Sequence, residues 1–166
     1  RGETDRAIRM HQNLIDREDL SDEQRQHALS ELGLDFLKAG LLDRAEAVFV
    51  KLRGTRFNDF ALNNLLDIYQ QEKDWKKAIE IAEVLPHHEG VLWEKEVANF
   101  HCELAAVAMA NSRFDEAMES LVRALELNRK SVRANMLMGD LCAARGDDRG
   151  ALEAWKKVEN QNPMYL

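Results

Sequence analysis

The sequence predicts an all-α protein built from antiparallel helical hairpins, and two observations on composition support this. The chain has 166 residues, of which 45% are apolar and 32% charged, but it has only two prolines and eight glycines. It therefore has material for a core and few of the turn residues that a β-sandwich or barrel needs. Ala, Leu, Glu and Arg, all good helix formers, are abundant.

The third observation is an internal repeat. An alanine recurs five positions after a polar or turn-forming residue, at Ala7, Ala45, Ala78, Ala117 and Ala151. Successive alanines are separated by 38, 33, 39 and 34 residues, and twelve residues before the last four stand Gly33, Leu66, Ala105 and Gly139. These spacings centre on the 34 residues of the tetratricopeptide unit, a helix–turn–helix that stacks on its neighbours.

Small residues at fixed positions let the two helices of a hairpin approach closely. The residues predicted to serve this packing are Gly33, Ala45, Ala78, Ala105, Ala117, Gly139 and Ala151. Larger residues fill the remaining gaps, and this register places Trp155 in the core. Pro163 follows Ala151 by twelve residues, where the repeat pattern has a helix-stopping proline. We therefore predict a tetratricopeptide-repeat (TPR) superhelix, with the hairpins stacked as a right-handed solenoid.

The elements follow in order from these positions. A first helix at about 4–16 carries Ala7 and is interpreted as the second helix of a truncated repeat, 1–20. Ser21-Asp-Glu-Gln24 is a capping-box signature that opens the next helix. The four complete repeats are predicted at 21–57, 58–90, 91–130 and 131–166. Their paired helices are expected at 22–39 and 43–53, 58–71 and 75–85, 91–110 and 114–127, and 131–144 and 148–160.

Charge and cysteine content exclude several classes of function. The formal net charge is −7, which argues against nucleic-acid binding through a broad basic surface. Cys102 and Cys142 are too few for a zinc site or a disulfide scaffold, and they suit a reducing compartment. No apolar run approaches the roughly 18 residues of a membrane span, and no signal peptide is evident, so we expect this section to be soluble.

Two histidine-containing clusters are interpreted without a metal. His87-His88-Glu89 lacks a third and fourth ligand at a recognised spacing and is predicted to be a loop between repeats. His101-Cys102-Glu103 falls on a helix, where successive side chains diverge by about 100° and do not converge on one centre. His101 is expected in a bulky interior position and Cys102 on the concave side.

No pattern in the sequence supports catalysis. There is no Gly-rich phosphate loop, no Gly-x-Ser-x-Gly elbow and no His-Glu-x-x-His. Trp75, Trp93 and Trp155 are spread over three repeats and are interpreted as packing residues rather than a platform for stacking bases. We expect no catalytic residue, no cofactor and no metal ligand in this chain.

The predicted site is the concave surface lined by the first helix of each pair. Its partner-binding residues are predicted to be Phe60, Asn63, Asn64, Asp67, Gln70, Asn99, Met109 and Arg133. Ser30 also falls in this register. Phe60 has no core role in the repeat register and is expected to act as an apolar anchor for a partner. The alternative, left open here, is that the groove holds a neighbouring helix of the same protein.

Three segments carry a closer resemblance. The opening Arg1-Gly-Glu-Thr-Asp-Arg-Ala-Ile-Arg-Met-His-Gln12, with Leu41-Leu-Asp-Arg-Ala-Glu46 and Val97-Ala-Asn-Phe-His-Cys-Glu-Leu-Ala105, resembles the lipopolysaccharide assembly protein B family of Gram-negative bacteria. The similarity runs along the whole chain and is strongest in 1–50 and 94–109. By this resemblance the chain is the central repeat section of a longer protein.

The resemblance implies a function that the residue patterns alone do not. Members of that family have an N-terminal membrane helix, a cytoplasmic TPR array and a C-terminal rubredoxin-like metal domain, whose four cysteines are not among these residues. They are adaptors on the cytoplasmic face of the inner membrane. They promote proteolysis of the deacetylase that commits precursor to lipid A, by a membrane AAA+ protease. The alternative is a generic TPR scaffold in envelope assembly or secretion, and the oligomeric state stays open.

Overall fold

A computed structural model describes residues 2–85 and 90–161, and within them the chain forms nine helices and no strand. The helices are α1 (Gly2–Ile15), α2 (Asp22–Lys38), α3 (Leu42–Leu52), α4 (Asn58–Glu72), α5 (Trp75–Val84), α6 (Val91–Ala110), α7 (Phe114–Leu127), α8 (Val132–Ala144) and α9 (Asp148–Gln161). The predicted all-α fold class is confirmed. Pro163 and the loop at His87-His88-Glu89 lie outside the described residues.

The helices form two compact units, α1–α5 and α6–α9. In the first, each helix packs against the next one along the chain. In the second, α6 packs against α7, α7 against α8 and α8 against α9, and α6 also contacts α8 directly. Short connections between consecutive helices make them antiparallel neighbours, which is the arrangement of stacked hairpins.

Local capping explains where several helices begin. The predicted capping box at the start of α2 is confirmed: Ser21 Oγ accepts from the Gln24 N–H at 3.2 Å, and Gln24 Oε1 accepts from the Ser21 N–H at 3.0 Å. The side chains of Asp74 and Ser131 each accept from the backbone N–H three residues later and so cap α5 and α8. A side-chain cap stabilises a helix by about 1 kcal/mol.

Each unit has its own enclosed core. Phe49, Leu52, Leu65 and Ile68 are 0% exposed in the first unit, as are Leu121 and Leu141 in the second. The small residues predicted to serve repeat packing lie buried, namely Gly33, Ala45, Ala78, Ala105, Ala117, Gly139 and Ala151. A Cβ built on Gly33 would lie 2.6 Å from Cζ of Phe49, and one on Gly139 would collide with the Trp155 indole.

The placement of Trp155 in the core was wrong in part. Its indole rests on Gly139, but the residue is 36% exposed. The neighbouring positions on α9, Ala154 and Val158, are buried at 4% and 3%. The indole packs directly on the backbone at Gly139, in the space that a side chain there would fill, and keeps its outer part exposed.

Candidate functional site

The predicted residues of the first unit lie along one stripe of α4. Phe60, Asn63 and Asp67 are exposed, and Asn64 and Gln70 are half-buried. Residues three and four apart share a helix face, so these side chains line up along α4. The opposite face is buried against α3 and α5 through Ala61, Leu62, Leu65, Leu66, Ile68 and Tyr69. We call Phe60, Asn63, Asn64, Asp67 and Gln70 the α4 stripe.

Phe60 has a packing role that the repeat register did not predict. Its ring meets the enclosed Phe49 edge-on, with centroids 5.9 Å apart, and Phe57 with centroids 6.5 Å apart. It nevertheless keeps 37% of its surface exposed. The expectation that Phe60 has no core contact was therefore wrong. Its exposed edge is held in place by aromatic neighbours.

The aromatic surface continues beyond α4. Phe57, just before α4, lies 6.1 Å from the ring of His27 on α2. The Arg56 guanidinium lies 4.9 Å from the centroid of the Phe57 ring and pairs with Glu23 at 2.6 Å. The repeat pattern does not single out Phe57, and the only signal for it in the sequence is an aromatic side chain three residues before Phe60. A row of rings thus joins the stripe to α2 within the first unit.

The two asparagines of the stripe are oriented by their own helix. Asn63 Nδ2 donates to the Asp59 carbonyl at 2.7 Å, and Asn64 Nδ2 donates to the Phe60 carbonyl at 2.8 Å. Bonds to the carbonyl four residues earlier restrict the side-chain rotamers of both asparagines. The stripe therefore combines a fixed aromatic edge, two oriented amides and the carboxylate of Asp67.

A polar network anchors α4 between its neighbours. The Tyr69 hydroxyl donates to Glu46 Oε1 at 2.8 Å, and Lys77 Nζ donates to the same oxygen at 3.0 Å. Lys77 also lies 4.9 Å from the Tyr69 ring centroid. The bonds from Lys77 and Tyr69 lower the pKa of Glu46, and burial is the main cause that raises the pKa of Tyr69. The network joins α3, α4 and α5 and so fixes the direction in which the stripe faces.

The predicted residues of the second unit do not form a comparable stripe. Asn99 and Arg133 are exposed, but Arg133 pairs with Glu103 at 2.5 Å. Met109 is half-buried and packs against the cluster that contains Leu121 and Leu141. Its role as a groove residue is corrected to that of a core neighbour.

Two other residues assigned to the concave side lie inside the protein. Cys102 is 0% exposed among Ala98, Ala124 and Ala134, and burial is the main cause that raises the pKa of its thiol. Ser30 is 3% exposed, and its hydroxyl donates to the His27 carbonyl at 2.7 Å. Direct packing of α6 on α8 covers the Cys102 position, a contact between repeats that the order of residues in one helix does not reveal.

A cluster of metal-binding side chains and a membrane-spanning helix are both absent from the part of the chain that the structure describes. In residues 2–85 and 90–161, no group of three or more His, Cys, Asp or Glu side chains is placed to hold a metal ion. None of the helices described is both long and apolar enough to cross a bilayer. The arrangement with the clearest chemistry is the α4 stripe with its adjoining aromatic row.

Comparison with solved structures defines the class of protein. No family model matches the chain. A structure of MamA AMB-1 aligns with a TM-score of 0.55, covering 99% of this chain and 85% of that chain at 19% identity. A structure of MamA MSR-1 aligns with a TM-score of 0.51 at the same identity, covering 99% and 90%. MamA contains TPR units, and this chain has the TPR fold.

Sequence comparison shows that the chain is similar to lipopolysaccharide assembly protein B from several bacteria. The protein from Escherichia coli K12 is 41% identical over 163 residues, which is 98% of this chain and 42% of that protein. The one from Haemophilus influenzae Rd is 36% identical over 166 residues, again 42% of its length. The resemblance seen in the motifs is confirmed: the chain is homologous to about two-fifths of lipopolysaccharide assembly protein B. Its relatives are named as assembly proteins, not enzymes, in agreement with the predicted non-catalytic role.

Proposed function

We propose that this chain is the protein-binding repeat section of an adaptor in the regulation of lipopolysaccharide synthesis. In this role it binds the deacetylase that commits precursor to lipid A and brings it to a membrane AAA+ protease. The observation that carries the proposal is the 41% identity with lipopolysaccharide assembly protein B, which extends over 98% of the chain. The TPR fold supports it, because stacked hairpins present long surfaces for other proteins.

The docking surface in this proposal is the α4 stripe. Phe60 is exposed yet held against Phe49, so little conformational entropy is lost when a partner covers it. Buried aromatic anchors commonly carry much of the energy of an interface. Amides such as Asn63 and Asn64 bind a partner's polar groups without the desolvation cost of a full charge.

The proposed location is the cytoplasmic face of the inner membrane, with attachment through a segment outside these residues. Both cysteines are free thiols buried in the core. Free thiols are what a reducing compartment maintains, so this observation supports the cytoplasmic side. The rubredoxin-like metal domain implied by the family is likewise proposed for another part of the full protein.

Calorimetric titration with purified deacetylase tests the proposal. The 166-residue chain should bind, and Phe60→Ala combined with Asn64→Ala should weaken binding by about tenfold or more, equivalent to about 1.4 kcal/mol. The matched control is Lys76→Ala with Glu80→Ala, which removes two exposed side chains from the neighbouring α5. Because Phe60 packs on Phe49, thermal melting must show that the first variant is folded at the assay temperature.

Each outcome decides between the alternatives. Equal affinity of the folded Phe60/Asn64 variant and the control would exclude the α4 stripe as the docking surface. A wild-type chain that is folded but does not bind the deacetylase would overturn the adaptor proposal in favour of a generic TPR scaffold. In cells, the full-length protein with the two stripe substitutions should allow the deacetylase to accumulate.

A further inference from the structure

A groove in the second unit is lined by residues that have no role in the proposed function. It lies between α7, α8 and α9, has a volume of about 640 Å³, and is lined by Val122, Leu125, Glu126, Arg129, Asn135 and Lys157. This volume is within the range of sites that bind small ligands or short segments of chain. Val122 is 45% exposed and Leu125 half-buried, so the groove presents an aliphatic surface.

The charges of the groove are unusual for this protein. The chain as a whole carries a net charge of −7, yet two cations, Arg129 and Lys157, line the groove. The carboxylate there, Glu126, is paired with Arg123 at 2.9 Å. In the part of the chain that the structure describes, no carboxylate lies within ion-pairing distance of Arg129 or Lys157. Among the described residues, the groove thus offers two positive charges without an ion-pair partner beside aliphatic side chains.

A buried amide adds an acceptor. Asn135 is only 1% exposed, and its Nδ2 donates to the Ser131 carbonyl at 2.9 Å and to the Arg129 carbonyl at 3.3 Å. These two bonds fix the amide so that Oδ1 is an acceptor, and no donor among the described residues pairs with it. The oxygen is not among the side-chain atoms that are sealed from solvent without a partner, so it is open to a donor that enters the groove.

The repeat does not require an amide at the position of Asn135. It stands four residues before Gly139, and the residues four before Gly33, Leu66 and Ala105 are Leu29, Leu62 and His101. Two of these three equivalent positions hold an apolar side chain and the third an imidazole. The amide is therefore not required by the hairpin geometry at this register.

We propose that this groove binds an acidic, aliphatic peptide segment of a partner protein. An aliphatic side chain of the segment packs on Val122 and Leu125, and its carboxylate lies between Arg129 and Lys157. A peptide N–H of the segment donates to Asn135 Oδ1. The phosphate oxygens of a lipid are acceptors, so they cannot form this hydrogen bond. The groove and the α4 stripe share no residue, so the failure of either proposal leaves the other intact.

The test measures fluorescence anisotropy of a labelled twelve-residue peptide of alternating leucine and glutamate. Its comparators are the same peptide with glutamine in place of glutamate, and phosphatidylglycerol vesicles. The folded 166-residue chain should bind the acidic peptide at least tenfold more tightly than the glutamine peptide, and added salt should weaken the binding.

Paired variants locate the binding. Arg129→Glu with Lys157→Glu should reduce affinity by tenfold or more. Lys130→Glu with Lys156→Glu makes the same change in net charge at adjacent exposed positions outside the groove, and it should bind within about twofold of wild type. Asn135→Leu, which installs the residue found at two of the three equivalent positions, should keep the helical circular dichroism and weaken binding severalfold.

Three results would overturn the proposal. One is no saturable binding of the acidic peptide to the folded chain. Another is equal loss of affinity in the two charge-reversed pairs, which would mean general attraction to a positive surface. The third is binding to vesicles that depends on Arg129 and Lys157 without binding to the peptide, which would identify a membrane-facing site instead.

Discussion

At positions 33 and 139 the hairpins leave no space for a side chain. A Cβ on Gly33 would lie between 2.6 and 3.2 Å from three ring atoms of Phe49, which is fully enclosed. A Cβ on Gly139 would collide with Trp155, which is 36% exposed and has room to move outward. The same substitution therefore meets a fixed ring at one site and a movable ring at the other.

This difference predicts unequal costs for the two glycines. Replacing glycine by alanine within a helix is favourable by about 1 kcal/mol at both sites. Because this gain is the same for the two variants, a difference between their free energies of unfolding is due to packing. Gly33→Ala should lower the free energy of unfolding by about 1–3 kcal/mol, and Gly139→Ala should change it by less than about 1 kcal/mol. Urea denaturation measures both. Equal losses at the two sites would show that Trp155 is as confined as Phe49.

At this scale the sequence predicts which residues are small and buried but not how their neighbours respond. The spacing of Gly33, Ala45 and Gly139 was sufficient to place them in the helix contacts. The partial exposure of Trp155 and the edge-on contact of Phe60 with Phe49 depend on how closely the helices approach at each contact. A repeat register predicts the direction in which a side chain points, but it does not predict this distance.

Three helices of the first unit are joined by a single carboxylate. Glu46 on α3 accepts from Tyr69 on α4 and from Lys77 on α5. These bonds lower the pKa of Glu46 below its ordinary value of 4.5. They stabilise the folded state only while the carboxylate is charged, so this stabilisation is complete above the pKa of the unfolded chain. It is lost as the pH falls through the lower pKa of the folded state.

The contribution of Glu46 to stability should therefore depend on pH on the acid side of the stability curve. At pH 7, Glu46→Gln should lower the free energy of unfolding relative to wild type. Below about pH 4 the two proteins should converge, because the wild-type carboxylate is then increasingly protonated. Urea denaturation at a series of pH values measures this, with Glu80→Gln, an exposed residue of α5, as the control. A gap that stays constant down to pH 3 would mean that the charge of Glu46 does not stabilise the contact.

The bounds of the elements were largely predictable, while the faces they bury were predictable only in part. Every predicted helix agrees with the structure to within about two residues, since local signals such as the Ser21 capping box and the turn glycines set the ends. Cys102 was placed on the wrong face because α8 covers it. That contact arises between repeats and leaves no trace in the periodicity of α6.

For the whole molecule, the fold and the similarity to known proteins are better determined than the docking surface. The repeat spacing predicted the TPR fold, and the opening motifs indicated the relative that comparison confirms. The predicted surface residues divide between two units that the structure describes separately, five on α4 and three in the second unit. A partner's choice between them depends on the partner's own shape and charge, which this sequence does not contain.

Hydroxyl-radical footprinting with and without the deacetylase tests the central claim most directly. Phenylalanine and methionine side chains are oxidised where they are exposed, and Phe60 is 37% exposed while Met10, on α1 outside the stripe, is 64% exposed. We predict that bound deacetylase protects Phe60 and leaves Met10 fully reactive. Unchanged oxidation of Phe60 in a saturated complex would contradict it.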